Sequence, residues 1–251
     1  MPPTFPVGYH EQPPPAALAP WVECLWWRTA TADAPAPGSI LPDGRIDLIW
    51  STNGDVLLAG PQTRPLDVPF AGPFLALGAR FHPGAAPLLL RVAARELRDA
   101  HVPCDAVDAR LAADVRARLE PSRTRAQALD ALAALLARRC GEVASPDPLL
   151  RAAVAALAAG PVRVADVAHA TALSERQLER RFDVGIGYGP KTLARVLRFQ
   201  RVARLLSDGD GARDLARVAA SAGYADQAHL TREARALSGL TPVQLGRRLA
   251  A

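Results

Sequence analysis

The stretch Val167-Ala168-His169-Ala170-Thr171-Ala172-Leu173-Ser174, followed by Leu178, Arg180 and Phe182 and then by Gly187-Tyr188-Gly189-Pro190, recurs further along the chain. The second copy reads Val218-Ala219-Ala220-Ser221-Ala222-Gly223-Tyr224-Ala225, then Leu230, Arg232 and Ala234, then Gly239-Leu240-Thr241-Pro242. The copies are offset by 51 residues at the start and by 52 after a one-residue insertion in the second turn. Two copies are too few for a solenoid, so the pattern describes a pair of similar small modules.

Each copy has the physical make-up of a helix-turn-helix. In the first, Val164, Val167 and Ala168 share one face of a short helix, and the small residues Ala168 and Ala172 are expected to let two helices approach closely. Ser174 is placed to cap the next helix through its hydroxyl. Leu178 and Phe182 recur at i, i+4 and should pack inward, which turns Arg176, Gln177, Glu179 and Arg180 to solvent with Arg181 at the edge. In the second copy Gly223 supplies the turn, Asp226 is the expected N-cap and Leu230 points in, leaving Gln227, His229, Thr231 and Arg232 mostly outside. Such faces suit a major groove: Arg grips guanine in a fork, Gln pairs with adenine, and Thr meets polar edges or a thymine methyl. Between the copies, Pro190 opens a helix to about Leu206, with Arg195, Arg198, Arg201 and Arg204 interleaved among apolar residues. A rod of that length, ~25 Å at ~1.5 Å per residue, can hold two helices near the ~34 Å separation of successive major grooves on one DNA face.

Charge supports the same half of the chain. Residues 146–251 carry 16 Lys+Arg against 10 Asp+Glu, while residues 1–145 carry 14 against 15. The positive excess thus lies on the repeat, as nucleic-acid binding requires. Lys191 is the sole lysine and joins Ser174 and the outward residues above as a candidate DNA contact.

Upstream the texture is different. Residues 1–20 are rich in proline and read as an irregular lead-in. Val22–Arg28, Ile46–Trp50, Val56–Leu58 and Phe74–Phe81 read as strands, with a tight turn at Asp43-Gly44. Residues 85–98, 109–119 and 124–139 read as helices, the last with a Leu129, Leu132, Leu135, Leu136 stripe. Ser145-Pro146-Asp147-Pro148 reads as a linker. The expected fold class is α+β: a β-rich N-terminal domain with a helical connector over 1–145, then an all-α domain over 146–251 with two helix-turn-helix units on a long helix.

Ordinary globular composition, 49% hydrophobic and 22% charged, argues against disorder. No apolar run approaches the ~20 residues of a membrane helix, and Met1-Pro2-Pro3-Thr4-Phe5-Pro6 lacks the features of a signal peptide. A soluble, cytoplasmic protein is expected. Cys24, Cys104 and Cys140 are odd in number and far apart, which fits buried free thiols rather than disulfides or a metal site. His10, His82 and His101 have no clustered spacing, so no metal and no cofactor are expected. Asp43, Asp47, Arg80 and His82 stand near strand ends and can line a pocket, but no nucleophile–base pair accompanies them, so an enzyme is not expected.

The run Ala165-Asp166-Val167-Ala168, Leu173 to Phe182, Gly187-Tyr188-Gly189-Pro190 and Arg198-Phe199-Gln200 resembles the AraC/XylS family, as does Ala219 to Arg232 followed by Gly239-Leu240-Thr241-Pro242. The resemblance covers about residues 147–249. It implies a transcription regulator whose two units and linking helix bind double-stranded DNA as one domain, with Arg176, Glu179 and Arg180 on the first recognition helix and Gln227, His229, Thr231 and Arg232 on the second. The family usually has an aromatic where this chain has Ala234, which would thin the second unit's core by ~2–4 kcal/mol of contacts if nothing refills the space. Leu41-Pro42-Asp43-Gly44, Ile46-Asp47-Leu48-Ile49-Trp50, Ala59-Gly60-Pro61-Gln62-Thr63 and Arg80-Phe81-His82-Pro83-Gly84 resemble a domain found before such units. A small-molecule effector, a homodimer partner, and RNA polymerase in the case of an activator are the partners the resemblance implies. The competing reading is a co-regulator acting through protein contacts, for which the Leu129–Leu136 stripe would be the contact; a small-molecule-processing enzyme domain fused to the DNA-binding domain is a third.

Overall fold

The computed structural model of the chain describes residues 8–30, 38–68, 74–207 and 214–249. The N-terminal part contains β1 (Gly8–Gln12), β2 (Val22–Ala30), β3 (Gly38–Ile40), β4 (Ile46–Ser51), β5 (Val56–Ala59), β6 (Leu66–Val68) and β7 (Phe74–Phe81), then α1 (Ala86–Leu90), β8 (His101–Pro103), α2 (Asp105–Leu119) and α3 (Arg125–Gly141). Six strands form one sheet in the order β1-β2-β7-β4-β5-β8, and β3 pairs with β6. Every pair is antiparallel.

Side chains alternate across the strands, and the two faces differ. Leu48, Leu58, Leu77, Ala79 and Phe81 face the main core with Leu111, Val115 and Leu119 of α2 and Leu129, Leu132, Leu135 and Leu136 of α3. The leucine stripe therefore packs on its own sheet, and the two helices expected as a connector are part of the domain's core. Cys24, Trp26, Ile49, Ala59, Phe74 and Ala76 form a smaller cluster on the other face.

The expected helix over 85–98 is two shorter pieces. Arg91 ends α1 in the left-handed region at φ 55°, and a 3-10 turn follows over Ala94–Leu97. Asp99 is also left-handed (φ 55°), and its carboxylate accepts from the Thr63 backbone at 2.6 Å and hydroxyl at 2.7 Å. Leu89, Leu90, Ala94 and Leu97 are all buried, so burial at near-helical spacing gave the impression of one helix. Part of the expected lead-in, residues 8–12, is strand β1, because its backbone pairs with β2; residues 1–7 lie outside the described residues. Asp43-Gly44 does turn the chain, with Gly44 at φ 81°, but it joins β3 to β4, which do not pair. The hairpin turn between β4 and β5 is at Gly54 (φ 85°).

Among the described residues the elements of the C-terminal part are all helices: α4 (Pro148–Ala159), α5 (Val164–Ala170), α6 (Glu175–Gly185), α7 (Pro190–Ser207), α8 (Leu215–Ala222), α9 (Gln227–Ser238) and α10 (Pro242–Leu249). Asp147 caps α4 by accepting from Leu149 and Leu150, with Pro148 in the first turn. Two cores lie along α7. Leu193 and Val196 join Leu178, Phe182 and Leu150; Phe199, Val202 and Leu206 join Val218, Tyr224, Leu230 and Leu245.

One residue of the first turn departs from its expected role. Ala172 is exposed and sits at φ 53°, the place that Gly223 (φ 84°) fills in the second unit. It reverses the chain between helices and is exposed rather than buried between them. An L-residue pays ~1–2 kcal/mol in this region, against ~0.5–1 kcal/mol of extra chain entropy for glycine. Ala172→Gly should therefore stabilise the protein by about 0.5–1 kcal/mol, read as a higher denaturant midpoint; a lower midpoint would contradict the left-handed turn.

Candidate nucleic-acid interface

The first unit's second helix, α6, begins with a capping box. The Ser174 hydroxyl accepts from Gln177 N at 3.2 Å, and Gln177 Oε1 accepts from Ser174 N at 2.9 Å. Two orphan donors of the helix start are thereby satisfied. Leu178 and Phe182 are fully buried, which fixes the helix's rotation. Arg176, Gln177, Glu179 and Arg180 are exposed as the i, i+4 pattern requires, and Lys191 is exposed in the first turn of α7. Two of these have local engagements. The Gln177 oxygen serves the cap, and the Glu179 carboxylate lies where a side chain on Gly189 would stand. Arg181 pairs with Asp147 at the start of α4, which binds the edge of α6 to the preceding helix.

In the second unit, Asp226 caps α9 by accepting from His229 N at 2.6 Å, and Leu230 is fully buried. Gln227 and Arg232 are exposed. His229 packs edge-on against Tyr224, with ring centroids 5.1 Å apart, and its Nε2 lies 3.9 Å from Glu233. The Thr231 hydroxyl donates to the Gln227 carbonyl at 2.8 Å. Ala234 is fully enclosed in a unit whose core holds Phe199 and Tyr224, so the missing aromatic leaves no opening to solvent there.

Sequence reading passed over the groups that brace this surface. Glu233 accepts from Arg195 Nε and Arg198 Nη2, both at 3.0 Å, and so clamps α9 to α7. The Arg198 guanidinium also lies over the Tyr224 ring, 4.6 Å from its centroid. Burial opposes the charge on Arg198, and Glu233 more than offsets it, so its pKa is raised. Arg201 donates to the carbonyls of Leu157 at 3.2 Å and Ala222 at 3.4 Å, bridging the ends of α4 and α8. Three of the four interleaved arginines thus hold the two units in register. No local signal marks the clamp, since the two arginines that Glu233 accepts from lie 35 and 38 residues away.

The N-terminal domain is seated on this assembly. Arg95 pairs with Asp183 of α6 at 3.1 Å. A methyl group built on Gly187 (φ 96°) would lie 2.7 Å from Pro61 Cγ and 2.8 Å from the Ala94 carbonyl oxygen. Gln200 of α7 donates to the Pro42 carbonyl at 2.6 Å, and Leu41 packs against the second unit's core. Behind this contact the loop is held by charge. Arg45 pairs with Glu23, and Arg80 lies 3.6 Å from Asp43, 3.3 Å from Asp47 and 2.8 Å from Glu11. Burial pushes the Asp47 carboxyl up to about 7; Arg80 opposes the rise and Asp43 adds to it.

All three cysteines are buried free thiols, with burial raising each pKa. Among the described residues no group of His, Cys, Asp and Glu is arranged to hold a metal ion. No helix among them is long and apolar enough to cross a membrane.

Two capped helices on a common rod, with polar faces outward, define a DNA-binding helix-turn-helix domain. Residues 167–248 match the model of a helix-turn-helix domain family, and residues 10–103 match a domain of unknown function, DUF6597. The chain thus carries a helix-turn-helix domain behind a DUF6597 domain. No curated protein matches the chain. Among solved structures it is similar to a probable AraC family transcriptional regulator from Rhodopseudomonas palustris, at 25% identity over 42% of this chain and 100% of that one, with a TM-score of 0.37. It is also similar to ToxT from Vibrio cholerae, at 12% identity over 90% of this chain and 98% of that one, with a TM-score of 0.49. The unsaturated-fatty-acid-bound form of ToxT matches at 13% identity over 88% and 93% of the two chains, with a TM-score of 0.44.

Proposed function

We propose that the protein is a sequence-specific transcriptional regulator, in which residues 146–251 bind double-stranded DNA and residues 1–145 modulate that binding through a small molecule or self-association. The observation that carries this reading is the matched pair α6 and α9. Both are capped at their N-termini, both are rotated by a buried leucine, and both are braced on the 18-residue α7, a rod of ~27 Å. Phosphate contacts by the basic domain supply most of the affinity, and the outward faces supply sequence choice.

The base-reading roles differ between residues. Arg176 and Arg180 on α6 and Gln227 and Arg232 on α9 are exposed and are assigned to base edges. Lys191 is assigned to phosphate, and so is Ser174 once its hydroxyl turns its proton away from Gln177 Oε1, to which it donates at 3.0 Å. Gln177 reads with its amide nitrogen, since its oxygen serves the cap. Glu179, His229 and Thr231 contact DNA only after leaving the local engagements described above.

Selection of sites from a random duplex library by the full chain tests this. The expected motif has two blocks about 10–10.5 bp apart. Arg176→Ala should blur one block and Arg232→Ala the other, each by ~1–3 kcal/mol of discrimination. A single block would make the second unit a support rather than a reader, and enrichment of no sequence at low salt would overturn the proposal.

A further inference from the structure

Where the two helix-turn-helix units meet, the loop between α4 and α5 and the middle of α7 border a hollow of about 290 Å³. Pro161 on its rim faces the turn that opens α9, 3.7 Å from the Cβ position of Gly223. Arg198 on its wall covers Tyr224, whose ring carries His229 in the first turn of α9. The hollow therefore lies beside the leading end of the second unit's outward helix. Its other border is the loop between the first two helices of the first unit, a loop that meets the DNA backbone in homeodomains.

Its charge is one-sided. Arg163, Arg198 and Arg201 line it, and no acid does. None of the three is sealed off: Arg163 is exposed, and Arg198 and Arg201 are partly so. One carboxylate reaches this group from α9, that of Glu233, and Arg198 shares it with Arg195. Arg201 has only carbonyl acceptors, those of Leu157, Ala158 and Ala222. Burial lowers the pKa of Arg201, and the Arg204 and Arg198 cations lower it further. Arg163 makes no ion pair with any described residue. Cations crowded in this way favour an anion among them, and the guanidinium fork matches phosphate oxygens.

We propose that this hollow seats one backbone phosphate of the DNA, in the stretch between the two base-read blocks, and so fixes both units on the duplex at once. The assignment deepens the function proposed above and rests on it for the identity of the partner. Such a contact positions the protein and carries no sequence information.

Arg163→Gln tests it on the full chain, because that side chain is exposed and takes no part in capping α5. Thermal unfolding should be unchanged. Affinity should fall about tenfold for selected and unrelated duplexes alike, and the slope of log affinity against log salt should shrink by about 0.9. Arg163→Lys, which keeps the charge and loses the fork, should lie between. Methylphosphonate, which removes the charge of a single phosphate, locates the contact. Scanned through the selected duplex, it should cost the wild type most at a position between the blocks, and cost Arg163→Gln little there. Wild-type affinity and salt slope in Arg163→Gln, or the same methylphosphonate penalties in both proteins, would overturn the assignment. So would inorganic phosphate that raises the unfolding temperature of the wild type but not of Arg163→Gln while DNA affinity is equal in the two, since the hollow would then hold a free anion. The two ideas fail separately. A protein that selects a two-block site but is indifferent to Arg163→Gln loses the phosphate seat alone. One that binds every duplex equally, with the salt slope lowered by Arg163→Gln, loses sequence choice alone, and one that binds no DNA loses both.

Discussion

Glu233→Ala should destabilise the C-terminal domain by about 2–3 kcal/mol and erase one of the two blocks of the DNA site. The carboxylate is mostly buried, at 13% exposure, and takes hydrogen bonds from both Arg195 and Arg198. Removing one partner of a buried ion pair costs ~3–5 kcal/mol because the other charge is stranded. Here the two arginines are part exposed and recover some hydration, which brings the figure to the lower end or just below it. The functional effect should exceed what stability alone predicts. The clamp sets the angle between α9 and α7, and base readout by one helix depends on its position relative to the other. In the variant the block read by α6 should survive while the block read by α9 becomes degenerate. Glu233→Gln, which keeps one acceptor, should lie between wild type and alanine in both assays. Unchanged denaturation together with an intact two-block motif would show that the clamp positions nothing.

What could be read from the chain in advance divides along the range of the forces involved. Ser174, Asp226, Pro190 and Gly223 act on residues within four positions, and each stands where sequence places it. Leu178, Phe182 and Leu230 were also legible, because helical periodicity alone decides which face they bury. Ala172 carries no mark of a left-handed turn in the sequence, and only the backbone shows it there at φ 53°. The strands β1 and β8 are defined by the neighbours they bond, at registers that a run of five or three residues does not encode. The outward faces of α6 and α9 were foreseeable, whereas the ties that set their relative placement were not. Glu233 with Arg195, Arg95 with Asp183 and Gln200 with Pro42 join residues 38, 88 and 158 positions apart, and such pairs are legible only in space. Asp47 and Arg80, expected from sequence to line a pocket, do line a hollow on the outer sheet face, whereas only the sheet order gathers Trp26, Ile49, Leu57 and Phe74 beside them.

Gly187→Val should separate the N-terminal domain from the first helix-turn-helix unit at a cost of about 3–5 kcal/mol. Gly187 is buried at φ 96°, a backbone region where a β-branched residue is strained by more than the ~1–2 kcal/mol of an ordinary left-handed residue. Its missing side chain is also the space that Pro61 and the Ala94 carbonyl occupy at 2.7 and 2.8 Å from the Cβ position. A crowded methyl against backbone adds ~1–3 kcal/mol, and the carbonyl cannot move without disturbing the turn Ala94–Leu97, whose Ala94 and Leu97 are buried in the main core. The least costly response is for the two surfaces to part. The loss of the Arg95–Asp183 pair that spans them would add little, since both partners are about half exposed. Parting should expose the segment between Gly141 and Pro148 to protease while leaving both halves folded, and circular dichroism with limited proteolysis would register the two effects separately. If docking restrains the DNA-binding half, the variant should also bind DNA at least as well as wild type, because α6 keeps its cap and its buried Leu178 and Phe182. Loss of helical signal together with loss of DNA binding would instead mean that α6 needs the N-terminal domain for its fold, and the DNA-binding half would then have to be treated as inseparable from the sheet on which it rests.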